Sequence, residues 1–282
     1  MIQIESPQKM QQWSLQQKKE GKTIAFVPTM GALHEGHLSL LRKGRASADQ
    51  LVLSIFVNPT QFGPKEDLSK YPRTLQADLE NAHTEKVDVI FLPTPEVMYP
   101  NGYQTLVEVG PLANGLCGAS RPGHFRGVAT IVLKLFQLVQ PHIALFGQKD
   151  FQQLRVIQQM VADFHLPIRI LGMPIVCESD GLAMSSRNRY LSESERKSAR
   201  AISQSLKQAQ TFIQKGEKNG AHIKEGIQKM LAEATLKIDY IFVGNPETLQ
   251  ETSTLQEPTL LAIAAFAGGT RLIDNNLVKN SV

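Results

Sequence analysis

Two histidines lie three positions apart in a glycine-containing segment, and their spacing suits phosphate chemistry. The segment FVPTMGALHEGH runs from residue 26 to residue 37, as an apolar run, a turn and the start of an amphipathic helix. A helix N-terminus carries about half a positive charge and unsatisfied N–H donors, so it favours an anion such as phosphate. His34 and His37 are predicted on one side of the first helical turn, where imidazoles can donate protons to phosphate oxygens. Gly36 leaves space for a planar group.

Other interpretations of this segment can be compared. A P-loop requires lysine and a hydroxyl residue where the chain has His37 and Leu38. A zinc site requires further ligands at a spacing that the segment does not provide. An ordinary strand, turn and helix with two surface histidines stays open on this segment alone, so the flanking segments have to decide.

Polar side chains elsewhere could bind a small anionic substrate. Asn58 and Gln61 follow a predicted strand at residues 51–57. Their amides could bind hydroxyl and carboxylate oxygens, although such residues are also common in loops. Arg121 and His124 precede a long apolar helix, where they suit either an anion or a helix cap.

Two later turns could bind phosphate. In FGQKDFQQ, Gly147 allows close approach, Lys149 supplies positive charge, and Asp150 could be an N-cap or contact a ribose or a metal. In DGLAMSSRN, two serines precede Arg187, whose guanidinium could clamp a triphosphate.

These residues need a scaffold, and the hydrophobic pattern predicts an α/β fold. Short apolar runs alternate with amphipathic ones, which favours a doubly wound parallel sheet with ligands at the carboxyl ends of its strands. The predicted strands are 24–27, 51–57, 87–92, 143–146 and 168–171, and the predicted helices are 37–47, 74–86, 125–140 and 151–164. Helices at 193–215 and 221–234 and strands at 240–243 and 260–266 then predict a smaller α+β domain. We therefore expect domains at 1–175 and 176–282.

Composition excludes several classes of protein. The chain has 282 residues, 42% hydrophobic and 20% charged, with Lys+Arg 30 against Asp+Glu 26, which is typical of a globular protein. The longest wholly apolar run, residues 260–267, is far shorter than the roughly 18 residues that a membrane span needs. The basic residues are scattered, so nucleic-acid binding is not expected. The N-terminal sequence favours the cytoplasm, and Cys117 and Cys177 are assigned no chemistry.

Together these motifs resemble a known family. H-x-G-H and M-S-S-R resemble the HIGH and KMSKS signatures of the nucleotidylyl transferase superfamily, whose catalytic domains are Rossmann-like. More closely, PTMGALHEGH, VNPTQF, SRPGHFRG, GQKDFQQ, DGLAMSSRN and TRLIDN are similar, in order and spacing, to the pantothenate synthetase (pantoate-β-alanine ligase) family across residues 28–275.

The resemblance implies a two-step, ATP- and Mg2+-dependent reaction and a homodimer. Pantoate would attack the α-phosphate of ATP to give pantoyl adenylate and pyrophosphate, and β-alanine would then displace AMP. His37 would be the proton donor with His34 beside it, and Asp150 would contact ribose or Mg2+. The implied nucleotide site comprises Met30, Gly31, Ala32, Leu33, His34, Glu35, Gly36, His37, Gly147, Gln148, Lys149, Asp150, Val176, Met184, Ser185, Ser186 and Arg187. The implied substrate-binding residues are Gln61, Gln153, Asn58, Arg121 and His124.

The chain departs from the family pattern at Cys177, where a charged residue is expected, and in a looser match at residues 266–270. Two rival functions are considered. One is an adenylyltransferase acting on a phosphate-bearing acceptor, which would need an additional basic site. The other is a non-catalytic nucleotide-binding regulator or RNA-binding protein, which would not need His37 as an acid.

Overall fold

The computed structural model describes residues 1–64 and 66–279, and the chain forms two compact units that interleave in sequence. The first unit comprises Met1–Ala113, Arg121–Gln148 and Gln153–Pro174. The second comprises Asn114–Ser120, Lys149–Gln152 and the chain from Ile175 onward. The domain limits expected at residues 175 and 176 stay a prediction, and residues 280–282 of the expected second domain lie outside the described residues.

A parallel six-stranded sheet forms the centre of the first unit, in the order β1-β4-β3-β2-β5-β6. Its strands are β1 Ile2–Ile4, β2 Ile24–Thr29, β3 Gln50–Ile55, β4 Val89–Phe91, β5 Ile143–Gly147 and β6 Arg169–Met173. Most residues of β2 to β5 are buried, because helices cover both faces of a doubly wound sheet. This burial accounts for the nearly continuous apolar runs in the sequence.

In the described residues, most of the longer helices follow the amphipathic segments of the sequence. The helices are α1 Pro7–Lys19, α2 Glu35–Arg45, α3 Leu75–Thr84, α4 Pro95–Met98, α5 Cys117–Ser120, α6 His124–Val139, α7 Phe151–Asp163, α8 Glu193–Gln214 and α9 Gly220–Glu233. Short 3-10 helices occupy Pro59–Gln61, Pro111–Ala113, Gln148–Asp150 and Ser186–Tyr190. In the described ranges, no helix combines the length and the apolar character that a membrane span requires.

Strand β2 shows how the sheet is covered. Ala25 and Val27 belong to a buried cluster that includes Leu40 and Leu41 of α2. Phe26 points to the opposite face, where its ring meets Phe136 of α6 edge-on with centroids 6.4 Å apart. This alternation is the period of two expected of a strand.

The strand order reverses at β2, which pairs with β3 on one side and with β5 on the other. In open α/β sheets, ligands bind outside the carboxyl ends of the strands at this kind of switch point. The carboxyl end of β2 leads into residues 30–37, and β5 ends at Gly147. The fold therefore directs two of the predicted motifs to the position where a ligand is expected.

The second unit contains an antiparallel sheet in the order β7-β8-β9, formed by β7 Lys237–Gly244, β8 Thr259–Ala267 and β9 Thr270–Val278. Helices α8 and α9 share a buried apolar cluster with this sheet, including Ile202 and Ile227. The predicted α/β fold class, a doubly wound parallel sheet with a smaller α+β part, is confirmed.

Candidate active site

The turn between β2 and α2 has an uncommon backbone. Gly31 has φ +83° and Ala32 has φ +52°, so two consecutive residues occupy the left-handed region. His34 then returns to an extended conformation, with φ −137°, as the N-cap of α2. The turn thus places His34 and His37 at the start of a helix, as the spacing predicts.

The two imidazoles lie close together, with ring centroids 4.1 Å apart. The backbone N–H of His34 donates to Nδ1 of His37 over 3.3 Å, and the N–H of His37 donates to the carbonyl of His34 over 2.7 Å. Because Nδ1 of His37 accepts a hydrogen bond, the proton of the neutral ring lies on Nε2. His37 is therefore oriented to donate a hydrogen bond through Nε2.

The backbone N–H groups of the β2–α2 turn donate hydrogen bonds to other groups of the protein. Ala32 N–H and Leu33 N–H donate to the carboxylate of Asp78, over 2.9 and 2.7 Å. Gly31 N–H donates to the Thr29 hydroxyl over 3.2 Å. The N–H groups ahead of the helix are thus directed into the protein, and an anion would meet the first turn of α2 instead.

Asn58 and Gln61 form one hydrogen-bonded pair. Asn58 is 1% exposed, and its Nδ2 donates to Oε1 of Gln61 over 3.0 Å. Since Oε1 of Gln61 accepts, its Nε2 points the other way and donates to the Met30 sulfur over 3.2 Å. The hydroxyl of Tyr99 donates to Oδ1 of Asn58 over 2.8 Å. Burial raises the pKa of Tyr99 to about 12, so this donor keeps its proton at neutral pH.

Gln61 is also held through its backbone. Nδ1 of His124 lies 2.8 Å from the Gln61 carbonyl, and Nε2 lies 3.0 Å from a guanidinium nitrogen of Arg121. A carbonyl only accepts and a guanidinium only donates, so Nδ1 carries the proton of the neutral ring. Arg121 also binds Glu66 with two hydrogen bonds of 2.7 Å. Both predicted residues therefore support the position of Gln61, and direct contact with a substrate stays a prediction for them.

The FGQKDFQQ motif, with its predicted phosphate- and substrate-binding residues, lies at the end of β5. Gly147 ends β5, and Gln148, Lys149 and Asp150 form a 3-10 helix that leads into α7. Gln153 is half-buried in the first turn of α7. The motif therefore follows a strand end directly, as predicted.

Lys149 is fixed through its backbone by a residue that the sequence interpretation did not select. Nδ2 of Asn275 in β9 donates to the Lys149 carbonyl over 2.9 Å. The neighbouring Asp274 is 8% exposed, and its Oδ1 accepts from the Asn275 N–H over 2.8 Å. Burial raises the pKa of Asp274 to about 6, while Lys149 and Lys207 lower it. A buried carboxylate therefore accompanies the predicted phosphate-binding lysine.

Asp150 is exposed, and in the ranges 1–64 and 66–279 no group of three or more His, Cys, Asp or Glu side chains could hold a metal ion. Mg2+ commonly binds to one or two carboxylates together with substrate phosphates. A single exposed carboxylate is compatible with that mode, in which the nucleotide would provide most of the ligands.

The predicted residues that follow β6 are joined by a small hairpin. Met184 N–H donates to the Val176 carbonyl over 2.9 Å, which places these two predicted nucleotide contacts side by side. The side chain of Asn188 donates to the Ala183 carbonyl over 3.1 Å and to Glu178 over 2.6 Å. Asn188 is 6% exposed, so a buried amide holds the end of this hairpin.

The two serines and the arginine of the predicted clamp continue from this hairpin. Oγ of Ser185 accepts from the Arg187 N–H over 3.3 Å, and a 3-10 helix begins at Ser186. All three residues are half-buried. The structure therefore orders the segment locally, while its contact with a nucleotide stays a prediction.

Asp78 is the main residue of the first unit that the sequence interpretation missed. A usable signal existed, because Asp78 lies four residues before Ala82 on the buried side of α3. An acid at such a position needs donors nearby. Sequence alone did not identify those donors, since the loop amides belong to a segment more than forty residues earlier.

Comparison with known proteins gives a consistent result. The family model described as pantoate-beta-alanine ligase matches residues 2–277. The pantothenate synthetase of Geobacter sulfurreducens is 53% identical over 273 residues, which cover 96% of each chain. The crystal structure of pantothenate synthetase from Thermus thermophilus superposes with a TM-score of 0.93 at 40% identity, covering 98% of this chain and 99% of that chain. A pantoate-beta-alanine ligase from Francisella tularensis, complexed with beta-gamma ATP and beta-alanine, gives a TM-score of 0.80 at 35% identity, covering 98% and 97%.

Proposed function

Because the chain belongs to the pantoate-beta-alanine ligase family, we propose that it condenses (R)-pantoate with β-alanine to pantothenate, using ATP and releasing AMP and pyrophosphate. The observation that carries this proposal is the histidine pair at the start of α2. His37 accepts at Nδ1 and holds its proton on Nε2, at the carboxyl end of the strand where the sheet order reverses.

The first step activates a carboxylate. An oxygen of pantoate forms a bond to the α-phosphorus of ATP, and the bond from that phosphorus to the bridging oxygen breaks, so that pyrophosphate leaves with the electron pair. The charge that develops on the leaving group is stabilised by a hydrogen bond from the Nε2–H of His37 and by the N-terminus of α2. Removing one preorganised donor of this kind typically costs about 100- to 1,000-fold in kcat.

Pantoate would be bound by amides. The Nε2 of Gln61 is oriented by Asn58, and we assign Gln61 and Gln153 to the hydroxyls and carboxylate of pantoate. Neutral amides leave the attacking carboxylate nucleophilic, whereas a direct arginine pair would neutralise its charge. Arg121 is consistent with this, because its guanidinium binds Glu66.

The second step forms the amide. The amine nitrogen of β-alanine bonds to the acyl carbon of pantoyl adenylate, the bond from that carbon to the AMP oxygen breaks, and the amine gives up a proton. The mixed anhydride has a much better leaving group than the free acid. Adenylation therefore explains why ATP is required before the amine can react.

The remaining nucleotide contacts are assigned from the family resemblance. The nucleotide site would be lined by residues 30–36 together with Gly147 and Gln148. Val176 and Met184 would contact the adenosine part, while Lys149, Ser185, Ser186 and Arg187 would bind phosphate. Asp150 would contact ribose or help to hold Mg2+, which neutralises phosphate charge when it is bound. We also propose a cytoplasmic homodimer, which sedimentation velocity at assay concentrations would test; a fully active monomer would contradict it.

The decisive experiment is pyrophosphate exchange. With ATP, Mg2+ and pantoate but no amine, the protein should incorporate labelled pyrophosphate into ATP. Exchange that depends absolutely on β-alanine, or formation of ADP in place of AMP, would refute the adenylate mechanism. Replacing pantoate by other small acids and by phosphate-bearing acceptors tests the substrate class in the same assay.

A further inference from the structure

The carboxylate of Asp78 lies against the β2–α2 turn, and both of its oxygens accept hydrogen bonds from backbone N–H groups of that turn. Oδ2 accepts from Ala32 N–H over 2.9 Å and Oδ1 accepts from Leu33 N–H over 2.7 Å. The Thr74 hydroxyl lies 3.3 Å from both oxygens. Asp78 is 1% exposed, so this negative charge is removed from solvent and matched by these donors.

The turn needs such support because its backbone is unfavourable. Ala32 has φ +52°, a left-handed conformation that costs a residue with a Cβ about 1–2 kcal/mol. A Cβ built on Gly31 would lie 3.0 Å from Oδ2 of Asp78 and 3.0 Å from Cγ2 of Ile55. The left-handed backbone and the close approach of the carboxylate both require glycine at position 31.

We propose that Asp78 is a positioning residue that holds this turn and thereby sets the place of His34 and His37 at the start of α2. The inference rests on the proposed function, in which His37 donates a hydrogen bond to the nucleotide. By accepting from two consecutive amides, Asp78 fixes the direction in which the chain leaves β2 and enters the helix.

The effect should be selective for the nucleotide. Gln61 contacts the turn through its Nε2, which donates to the Met30 sulfur, but its two oxygens are held from elsewhere. Asn58 donates to its side-chain oxygen, and His124 and Arg121 bind its carbonyl. A loosened turn would therefore displace the histidine pair more than the pantoate-binding amide. A purely structural role would instead reduce the fraction of active protein and leave both KM values unchanged.

The test is Asp78→Asn, which preserves size but directs an NH2 group at one of the two amide donors. The value of kcat/KM for ATP in pyrophosphate exchange should fall roughly 10- to 100-fold, with KM for pantoate within about threefold of wild type. Asp49→Asn is the matched control at the opposite end of β2, where Asp49 accepts from Thr23 N–H over 2.8 Å. This control should leave the kinetic constants unchanged.

Hydrogen exchange gives a readout that does not depend on activity. In Asp78→Asn, exchange of peptides covering residues 30–33 should accelerate at least about tenfold, because one amide loses its acceptor and the other keeps only a neutral one. Asp49→Asn should leave these peptides unchanged. Unchanged exchange, or an equal loss of rate with both KM values intact, would overturn the role of Asp78. If the wild type shows no pantoate-dependent pyrophosphate exchange, the proposed function fails while hydrogen exchange still decides the role of Asp78.

A second variant covers the case in which Asp78→Asn does not fold. Gly31→Ala perturbs the same contact from the loop side, and it should raise KM for ATP and accelerate exchange at residues 30–33. Gly21→Ala is its control, since Gly21 has φ +72° but no neighbouring atom within 4 Å of a built Cβ. Equal kinetic effects of the two glycine substitutions would show that backbone strain alone matters, and would overturn the proposal.

Discussion

Replacing Asp274 with asparagine tests whether the second unit keeps a carboxylate that lowers its stability. Asp274 is 8% exposed, and burial raises the pKa of its carboxyl from 3.8 to about 6, against the opposing effect of Lys149 and Lys207. Each pKa unit corresponds to about 1.4 kcal/mol. The shift of about two units therefore lowers the free energy of unfolding by about 3 kcal/mol once the carboxyl is fully ionised.

The direction in which stability changes with pH follows from the pKa of Asp274 in the folded and unfolded states. Because the folded pKa lies above the unfolded pKa, the stabilising contribution is fully present below about pH 3.8 and is lost as pH rises through about 6. About 1 kcal/mol of it is already lost at pH 4.5. Between about pH 4.5 and 8, the stability of Asp274→Asn relative to wild type should therefore rise by about 2 kcal/mol. Any constant cost of the new amide cancels from this difference, as does the titration of all other groups.

Urea unfolding followed by far-UV circular dichroism at both pH values measures this difference, provided that the m-value stays constant. Asp180→Asn is a control whose titration lies below this pH window. Burial raises the pKa of Asp180, but hydrogen bonds from Leu182 N–H and Arg196 outweigh it and lower the pKa overall, below the usual 3.8. The stability of that variant relative to wild type should therefore stay nearly constant between about pH 4.5 and 8. A flat difference for Asp274→Asn, or an equal rise for both variants, would refute the reasoning.

Three further substitutions test the proposed site. His37→Ala should lower kcat by about 100-fold or more while the melting temperature stays near that of wild type, and activity within threefold of wild type would exclude the hydrogen-bond donor role. Gln61→Ala should weaken pantoate binding, measured by calorimetry, by about 1–3 kcal/mol, because it removes a buried hydrogen-bonding group. Unchanged affinity would remove Gln61 from the site. Asn275→Ala should raise KM for ATP several-fold, because it releases the Lys149 carbonyl. Asn276→Ala on the same strand is the control, and equal effects of the two would refute this assignment.

The parallel sheet was predictable because its strands are covered on both faces. Nearly continuous apolar runs such as residues 51–55, which Ser54 interrupts, have few alternatives to a buried strand of this length. Helix α1 was not predicted, because the residues that it buries include Ser14 and Gln17 beside Met10. Strand β9 was missed for a related reason: polar residues such as Asp274 alternate with its apolar ones. Both elements depend on contacts made after the chain has folded.

The candidate site likewise contains features that the sequence predicted and features that it did not. The histidine pair was predictable because three-residue spacing on a helix is a local property. The tautomer of His37 was not, since it depends on the hydrogen bond from His34 N–H. Asp78 and Asn275 act through backbone groups of distant segments, and no local pattern in the sequence reports such partners.

Asp78 and Asp274 are both buried, but their replacement should change stability in opposite directions. This difference helps to distinguish a structural role from a functional one. Asp78 is matched by two backbone amides, so replacing it leaves donors unsatisfied and should destabilise the turn. Asp274 accepts from the Asn275 N–H but still has a raised pKa, so replacing it should stabilise the protein at neutral pH. Buried carboxylates that lower stability are common at functional sites, and we propose that Asp274, near the predicted phosphate-binding Lys149, takes part in nucleotide binding. For Asp78, stability alone cannot separate the two roles, so hydrogen exchange and the KM comparison have to decide.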